Sequence, residues 1–225
     1  MKNIEDSIKI VKEKIAKACN RAGRSEQEVR LIAVTKVVDL EKVKAAVSCG
    51  LKDFGENYIQ EAKRKIEEFG EGEGINWHMI GHIQTNKIKY IPKLFSYVHS
   101  IDRWELLGGL NKYGKDIKVL FELNLSGETS KHGTQEDRLK GMLEKVNTLK
   151  CVKPIGLMTM APFTENPEEV RGIFSKLRDI MHRVNREFSF DMKELSMGMS
   201  SDFEVAIEEG ATMVRIGTAI FGERT

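Results

Sequence analysis

Apolar residues in this chain follow two periods that alternate from one end to the other. Ile4, Ile8, Val11 and Ile15 recur at helical spacing and the pattern stops near Gly23, which predicts an amphipathic helix ahead of the first strand. Short apolar runs follow at residues 30–36, 52–56, 76–81, 96–101, 117–125, 152–160, 193–197 and 213–218, mostly separated by helical patterns. These predict eight strands. Several helices carry start signals: Asp39 ahead of inward-facing Leu40, Val43 and Val47, and Thr134 ahead of Leu139, Met142, Leu143 and Val146. Asn166-Pro167 gives an N-cap and an N1 proline before Val170, Phe174, Leu177 and Ile180, and Ser201-Asp202-Phe203-Glu204 reads as a capping box.

Strand–helix alternation implies parallel strands joined by right-handed crossovers, and eight such units close into a (β/α)8 TIM barrel. An open doubly wound sheet is the alternative, weakened only slightly by the lack of G-x-G-x-x-G after the first strand. A chain of 225 residues suits one barrel domain spanning 1–225. After the eighth strand only Ala219 to Thr225 remain, too few for a full helix, so the extra N-terminal helix is expected to cover the gap.

Composition narrows the partners. Thirty-six basic against thirty-four acidic residues leave a net charge of +2, without a block of five like charges or a basic stretch interleaved with aromatics. That argues against nucleic acid and for small solutes. Cys19, Cys49 and Cys151 are widely spaced and form no C-x-x-C, so neither a disulfide framework nor a zinc site is expected, and a reducing cytoplasm fits. No signal-peptide core or 18-residue apolar run suggests export or a membrane. Histidines 78, 82, 99, 132 and 182 show no metal-ligand spacing, so no metal is expected.

Barrels of this class place their chemistry at the C-terminal ends of the strands and bind phosphate on the loops after strands seven and eight. Ser200 and Ser201 follow strand seven, where a helix start offers free amides, and Gly217 and Thr218 follow strand eight. The serines alone suit an ordinary capped helix; their position in the barrel turns the reading toward an anion site. Lys36 ends strand one on the face of Ile32 and Val34, which aims it at the mouth. A lysine at a strand end usually points to solvent. Opposite a phosphate cradle, however, an amine withdrawn from water attacks aldehydes. Arg215 shares its face with Gly217 and therefore points inward; it serves either as an ion-pair partner of Glu122 or as an obligate donor to a ligand. Met158, Met160, Met197 and Met199 are expected as core or pocket wall, His82 as a satisfied surface histidine near the mouth rather than a lining residue, and Asp102 as a helix-start acid.

The runs that carry these residues are Ala33-Val-Thr-Lys36, Phe54-Gly-Glu-Asn-Tyr-Ile-Gln-Glu61, Trp77-His-Met-Ile-Gly-His-Ile-Gln-Thr-Asn-Lys87, Ser100-Ile-Asp-Arg103, Asn124-Leu-Ser-Gly127, Gly156-Leu-Met-Thr-Met160, Leu195-Ser-Met-Gly-Met-Ser200 and Val214-Arg-Ile-Gly-Thr-Ala-Ile-Phe-Gly222. In order and across the whole chain, they resemble the pyridoxal phosphate homeostasis proteins, which are related to the barrel domain of bacterial alanine racemase. The resemblance implies a barrel like that of fold type III enzymes dependent on pyridoxal 5′-phosphate (PLP), without their C-terminal β-domain. It implies that PLP is held as a covalent imine on Lys36, with Ser200, Gly217 and Thr218 at the phosphate, Ser201 as a less certain member, Arg215 near the pyridine nitrogen and Asn57 lining the pocket. Val37 departs from a threonine common in the family and His82 from a proline, which affects the pocket rim.

The function implied is PLP binding for intracellular vitamin B6 homeostasis, with apo PLP-dependent enzymes as candidate recipients and a monomer as the expected state. A two-base racemase needs a second acid/base group, which alanine racemases take from the partner subunit's added domain; this sequence ends seven residues after Thr218. The alternatives are a PLP-dependent amino-acid racemase or lyase, an imine-forming aldolase acting on a sugar phosphate without cofactor, and an interaction module that retains the barrel.

Overall fold

The computed structural model describes residues 3–70, 74–128 and 132–223, so features that involve Met1, Lys2, Arg224 and Thr225 lie outside the described residues. The strands are β1 (Arg30–Val34), β2 (Asp53–Glu56), β3 (Asn76–Met79), β4 (Tyr97–Ile101), β5 (Ile117–Leu123), β6 (Val152–Thr159), β7 (Glu194–Ser196) and β8 (Met213–Ile216). The α-helices are α1 (Ile4–Arg21), α2 (Leu40–Ser48), α3 (Ile59–Phe69), α4 (Ile91–Leu94), α5 (Trp104–Asn111), α6 (Glu136–Val146), α7 (Arg171–Phe188), α8 (Phe203–Glu208) and α9 (Thr218–Phe221). All eight strands pair in parallel in sequence order, and β1 pairs with β8 to close a barrel rather than leave an open sheet. Among the described residues, no helix is long and apolar enough to cross a membrane.

Alternation along each strand separates two apolar layers. Ile32, Tyr97, Leu120, Met158 and Met213 form a buried cluster in the lumen. Their neighbours in sequence, including Ala33, Val98, Val119, Leu157 and Val214, belong to the larger core under the helices. Strands end short of the apolar runs at β1, β3 and β8: Thr35 and Lys36, Ile80, and Gly217 and Thr218 leave the ladder and build the mouth.

Helix α1 covers the place left by the one-turn α9. It packs against α8, α9 and α2 through an apolar face of Ile8, Val11, Ile15 and Ala18. Arg21 adds ion pairs to Glu208 at 2.6 Å and Glu204 at 3.1 Å. Arg24 Nη1 donates to the carbonyls of Ile207 at 2.8 Å and Ala211 at 2.9 Å, satisfying acceptors near the end of α8.

Three start signals behave differently from expectation. Thr134 does not open a helix. Its N–H donates to Glu122 O at 2.8 Å and its carbonyl accepts from Asn124 N at 3.1 Å, so it bridges in parallel to Leu123 beside the end of β5, and α6 begins after Gln135. The capping box at Ser201 does not form, because Asp202 occupies the N-cap of α8 and its Oδ1 accepts from Met199 N at 2.6 Å. That carboxylate braces the loop before the helix and makes no side-chain cap bond to the amides of α8 itself. Asp39 stands at the N-cap of α2 without a side-chain cap bond. Asn166 caps as expected, accepting from Glu168 N at 3.2 Å, although it caps a 3₁₀ turn that leads into α7.

Ile15→Ala removes a buried side chain at the α1 interface and is expected to cost about 2–4 kcal/mol, lowering the melting temperature by roughly 5–15 °C. Lys12→Ala on the exposed face should stay within about 0.5 kcal/mol. Thermal denaturation of the pair measures how far the barrel depends on this helix.

Candidate functional site

The seven residues singled out in the sequence, Lys36, Asn57, Ser200, Ser201, Arg215, Gly217 and Thr218, all line one cavity of about 550 Å³ at the C-terminal end of the strands. Ile80, Met160, Phe163 and Met199 supply its apolar wall. Lys36 is half-buried rather than buried, as are Asn57 and Ser200, while Ser201 and Thr218 are exposed at the rim. Ser200 Oγ accepts from Ala219 N at 3.3 Å, which joins the loops after β7 and β8. Gly217 has φ −114, so it does not use glycine's left-handed freedom. Gly198, which the sequence did not single out, does: at φ +91 a Cβ would lie 2.6 Å from Ala206 Cβ and 2.9 Å from Phe203 Cα. Its close approach lets the loop lie flat on α8. An amine and a set of hydroxyls and amides on one rim, with an apolar wall between, fit a small aromatic phosphate that carries a carbonyl group.

The backbone on both sides of Lys36 is clamped from outside the barrel. Lys65, only 2% exposed, donates from Nζ to Thr35 O at 2.5 Å, Glu56 Oε1 at 2.8 Å and Glu61 Oε1 at 2.7 Å. Thr35 Oγ1 donates to Glu56 Oε1 at 2.6 Å, and Val37 N donates to Glu61 Oε1 at 2.7 Å. Burial pushes the Glu56 carboxyl up against the pull of Lys65 and Thr35. Val37 is left-handed at φ 57, a conformation that a β-branched residue adopts only when its surroundings hold it there. The clamp therefore fixes the direction in which Lys36 leaves the strand.

Arg215 forms the floor. It is 4% exposed, and it donates to Ser196 Oγ at 2.6 Å and Thr159 O at 2.9 Å rather than pairing directly with Glu122. Burial lowers the guanidinium to about 10, with Glu122 and Asp202 opposing, so it remains charged at neutral pH. Glu122 is pushed up to about 7 by burial, against the attraction of Arg215 and with a smaller push from Asp102. Met158 and Met197 are core, whereas Met160 and Met199 line the cavity.

Three loops bring His82, Asp102 and His132 together with ligand atoms within 4.8 Å of one another, a grouping the sequence spacing does not reveal. Arg103 Nη1 already donates to Asp102 Oδ1 at 2.7 Å, and the two imidazoles stack at 4.1 Å. A guanidinium stands in the place of a cation, and nearly parallel rings do not aim their nitrogens at one point.

Residues 8–225 match the model of the alanine racemase N-terminal domain family. The chain is 45% identical over 226 residues to a pyridoxal phosphate homeostasis protein of Aquifex aeolicus, covering 99% of each. It is 36% identical over 231 residues to that of Escherichia coli, covering 100% of this chain and 98% of the other. Among solved structures, PipY of Synechococcus elongatus with PLP bound matches with a TM-score of 0.82 at 31% identity, over 92% of this chain and all of that one. Alanine racemase from Corynebacterium glutamicum matches with a TM-score of 0.72 at 17% identity, over 97% of this chain and 61% of that one, a likeness of fold.

Two variants test the site. Glu122 has a folded pKa above its unfolded value, so its contribution to stability is present in full below about 4.5 and is lost as pH rises through about 7. Between pH 4.5 and pH 8 this group should cost on the order of 3 kcal/mol, and Glu122→Gln should remove that slope in urea denaturation measured across the range. Lys65→Met leaves Glu56 buried without its cation and is expected to cost about 3–5 kcal/mol by the same measurement.

Proposed function

The chain belongs to the pyridoxal phosphate homeostasis proteins, and from this we propose that it binds PLP in the barrel mouth and serves PLP homeostasis by holding and releasing it. The observation that carries the reading is that one cavity is lined by Lys36 together with Ser200, Ser201, Gly217 and Thr218. In this reading Lys36 forms a covalent imine with the cofactor, the hydroxyls and loop amides hold its phosphate, Asn57 lines the ring and Arg215 faces the ring nitrogen. PLP supplies an aldehyde and an electron-withdrawing ring.

The protein's own residues favour holding over turnover. Guanidinium has no acceptor and stays protonated, so a donor of this kind leaves the ring nitrogen without a proton and weakens the ring as an electron sink. The single barrel is the binding unit, acting as a monomer in the cytoplasm; its three free cysteines suit a reducing compartment. PLP is its small-molecule partner, and apo PLP-dependent enzymes are the proposed recipients.

The protein mixed with PLP should turn yellow, bleach with hydroxylamine and, after borohydride reduction, carry one reduced adduct on the peptide containing Lys36. Lys36→Ala should abolish the trapped adduct. An adduct on another lysine would sink the site assignment. Single enantiomers of small amino acids should pass through unchanged; sustained racemisation or product release that disappears in Lys36→Ala would replace the carrier with a racemase or lyase.

A further inference from the structure

A line of polar side chains crosses the barrel lumen from its N-terminal end to the floor of the cavity. Arg215 Nη1 lies 2.6 Å from Ser196 Oγ, which lies 2.8 Å from His99 Nδ1. His99 Nε2 lies 2.9 Å from His78 Nδ1, and His78 Nε2 lies 3.0 Å from Asp53 Oδ1. His78, His99 and Ser196 are each 0% exposed, and five strands contribute one member apiece. Tyr97, part of the lumen cluster, stacks on His78 with ring centroids 4.3 Å apart.

The chemistry of the two ends fixes every proton between them. A guanidinium only donates, so Ser196 Oγ accepts and its single hydrogen is left for His99 Nδ1. His99 then carries its proton on Nε2 and gives it to His78 Nδ1, and His78 carries its proton on Nε2 and gives it to the Asp53 carboxylate. All four bonds run in one direction. The reverse arrangement would need a buried imidazolium and a serine hydroxyl with nothing to donate to. Burial opposes that charge and lowers both imidazoles, His99 well below its ordinary value, with Arg30 opposing charge on both and Arg215 on His99.

We propose that Ser196, His99, His78 and Asp53 form a one-way hydrogen-bond relay that holds Arg215 in place as a fixed donor under the cavity. They are positioning residues, acting on a ligand only through Arg215. The competing acceptor is Glu122, a larger source of favourable charge on Arg215 than Asp202. A relay ending in a carboxylate polarises Ser196 and makes it the better acceptor. Without it the guanidinium turns toward Glu122 and leaves its place. Lumen positions filled by Ile32, Leu120 and Met158 elsewhere in the barrel show that apolar residues fill this space where no such task exists. The positioning of a cofactor rests on the PLP reading; the direction of the relay does not.

Long-range proton–nitrogen correlation spectra of the ligand-free protein at pH 7 test the relay itself. His78 and His99 should both be neutral Nε2–H tautomers. An Nδ1–H tautomer or an imidazolium at His99 would overturn the relay. Ser196→Ala should weaken PLP about tenfold and shift the visible absorption band, while Ser196→Thr, which keeps the hydroxyl, restores both. If Ser196→Ala leaves affinity and band unchanged, the positioning role is overturned. A wild-type protein that takes up no PLP removes the cofactor reading and that role with it, while the tautomers still decide the relay.

Discussion

The pairing of β1 with β8 is the constraint on which the site depends. A lysine near the start of the chain and a glycine-threonine pair near its end meet only because Ile32 lies opposite Arg215 and Ala33 opposite Ile216. Parallel pairing gives the two strands the same direction, so both deliver their following residues to the same rim. Closure also removes the exposed edges that an open sheet would have to protect. Helix α1 supports that seam from outside, where Arg24 and Arg21 attach it to α8 and the turn after it.

Each side of the seam then needs its own rigidity. On the β1 side the Lys65 ammonium gathers Glu56, Glu61 and the Thr35 carbonyl, and this charge cluster keeps Val37 in a left-handed conformation it would not choose alone. Opposite it, Gly198 permits the close packing on α8 that Ser200 and Asp202 need to shape the loop. The first device stores unfavourable local terms, a buried charge and a strained backbone, next to the proposed binding residues. Such terms persist where surrounding structure over-determines them, and they cluster at functional sites.

Much of this was legible in the sequence. Eight apolar runs gave eight strands, and period-two alternation correctly turned Lys36 and Arg215 toward the lumen and mouth, because side-chain direction in a strand follows directly from position. The helix starts were less legible. Thr134 and Ser201 are good cap residues in isolation, but Thr134 pairs beside the end of β5, a tertiary outcome, and α8 starts one residue later than Ser201 predicts, with Asp202 at its N-cap. The relay was invisible for a different reason. His78, His99 and Ser196 sit on separate strands and show no spacing motif, so their meeting follows only from barrel register and shear. Parity did hold a clue: His99 is two residues from Tyr97, a lumen residue, and His78 stacks on that ring.

The same geometry bears on why the barrel, on the proposed reading, would hold a cofactor rather than use it. Turnover of an amino acid is aided by a strong electron sink and requires a proton moved to and from the substrate carbon. In the proposed PLP site Arg215, anchored through Ser196 and Thr159, would offer the ring nitrogen only hydrogen-bond donors and no transferable proton near neutral pH. Lys36 is half-buried at a rim where Ser201 and Thr218 are exposed, so water and competing amines would reach the proposed linkage from the mouth. A weak sink reduces side chemistry while the cofactor is held, and an accessible imine exchanges readily. In the proposed site those two properties disfavour catalysis and favour reversible storage, which makes the fixed arginine and the open rim parts of one arrangement.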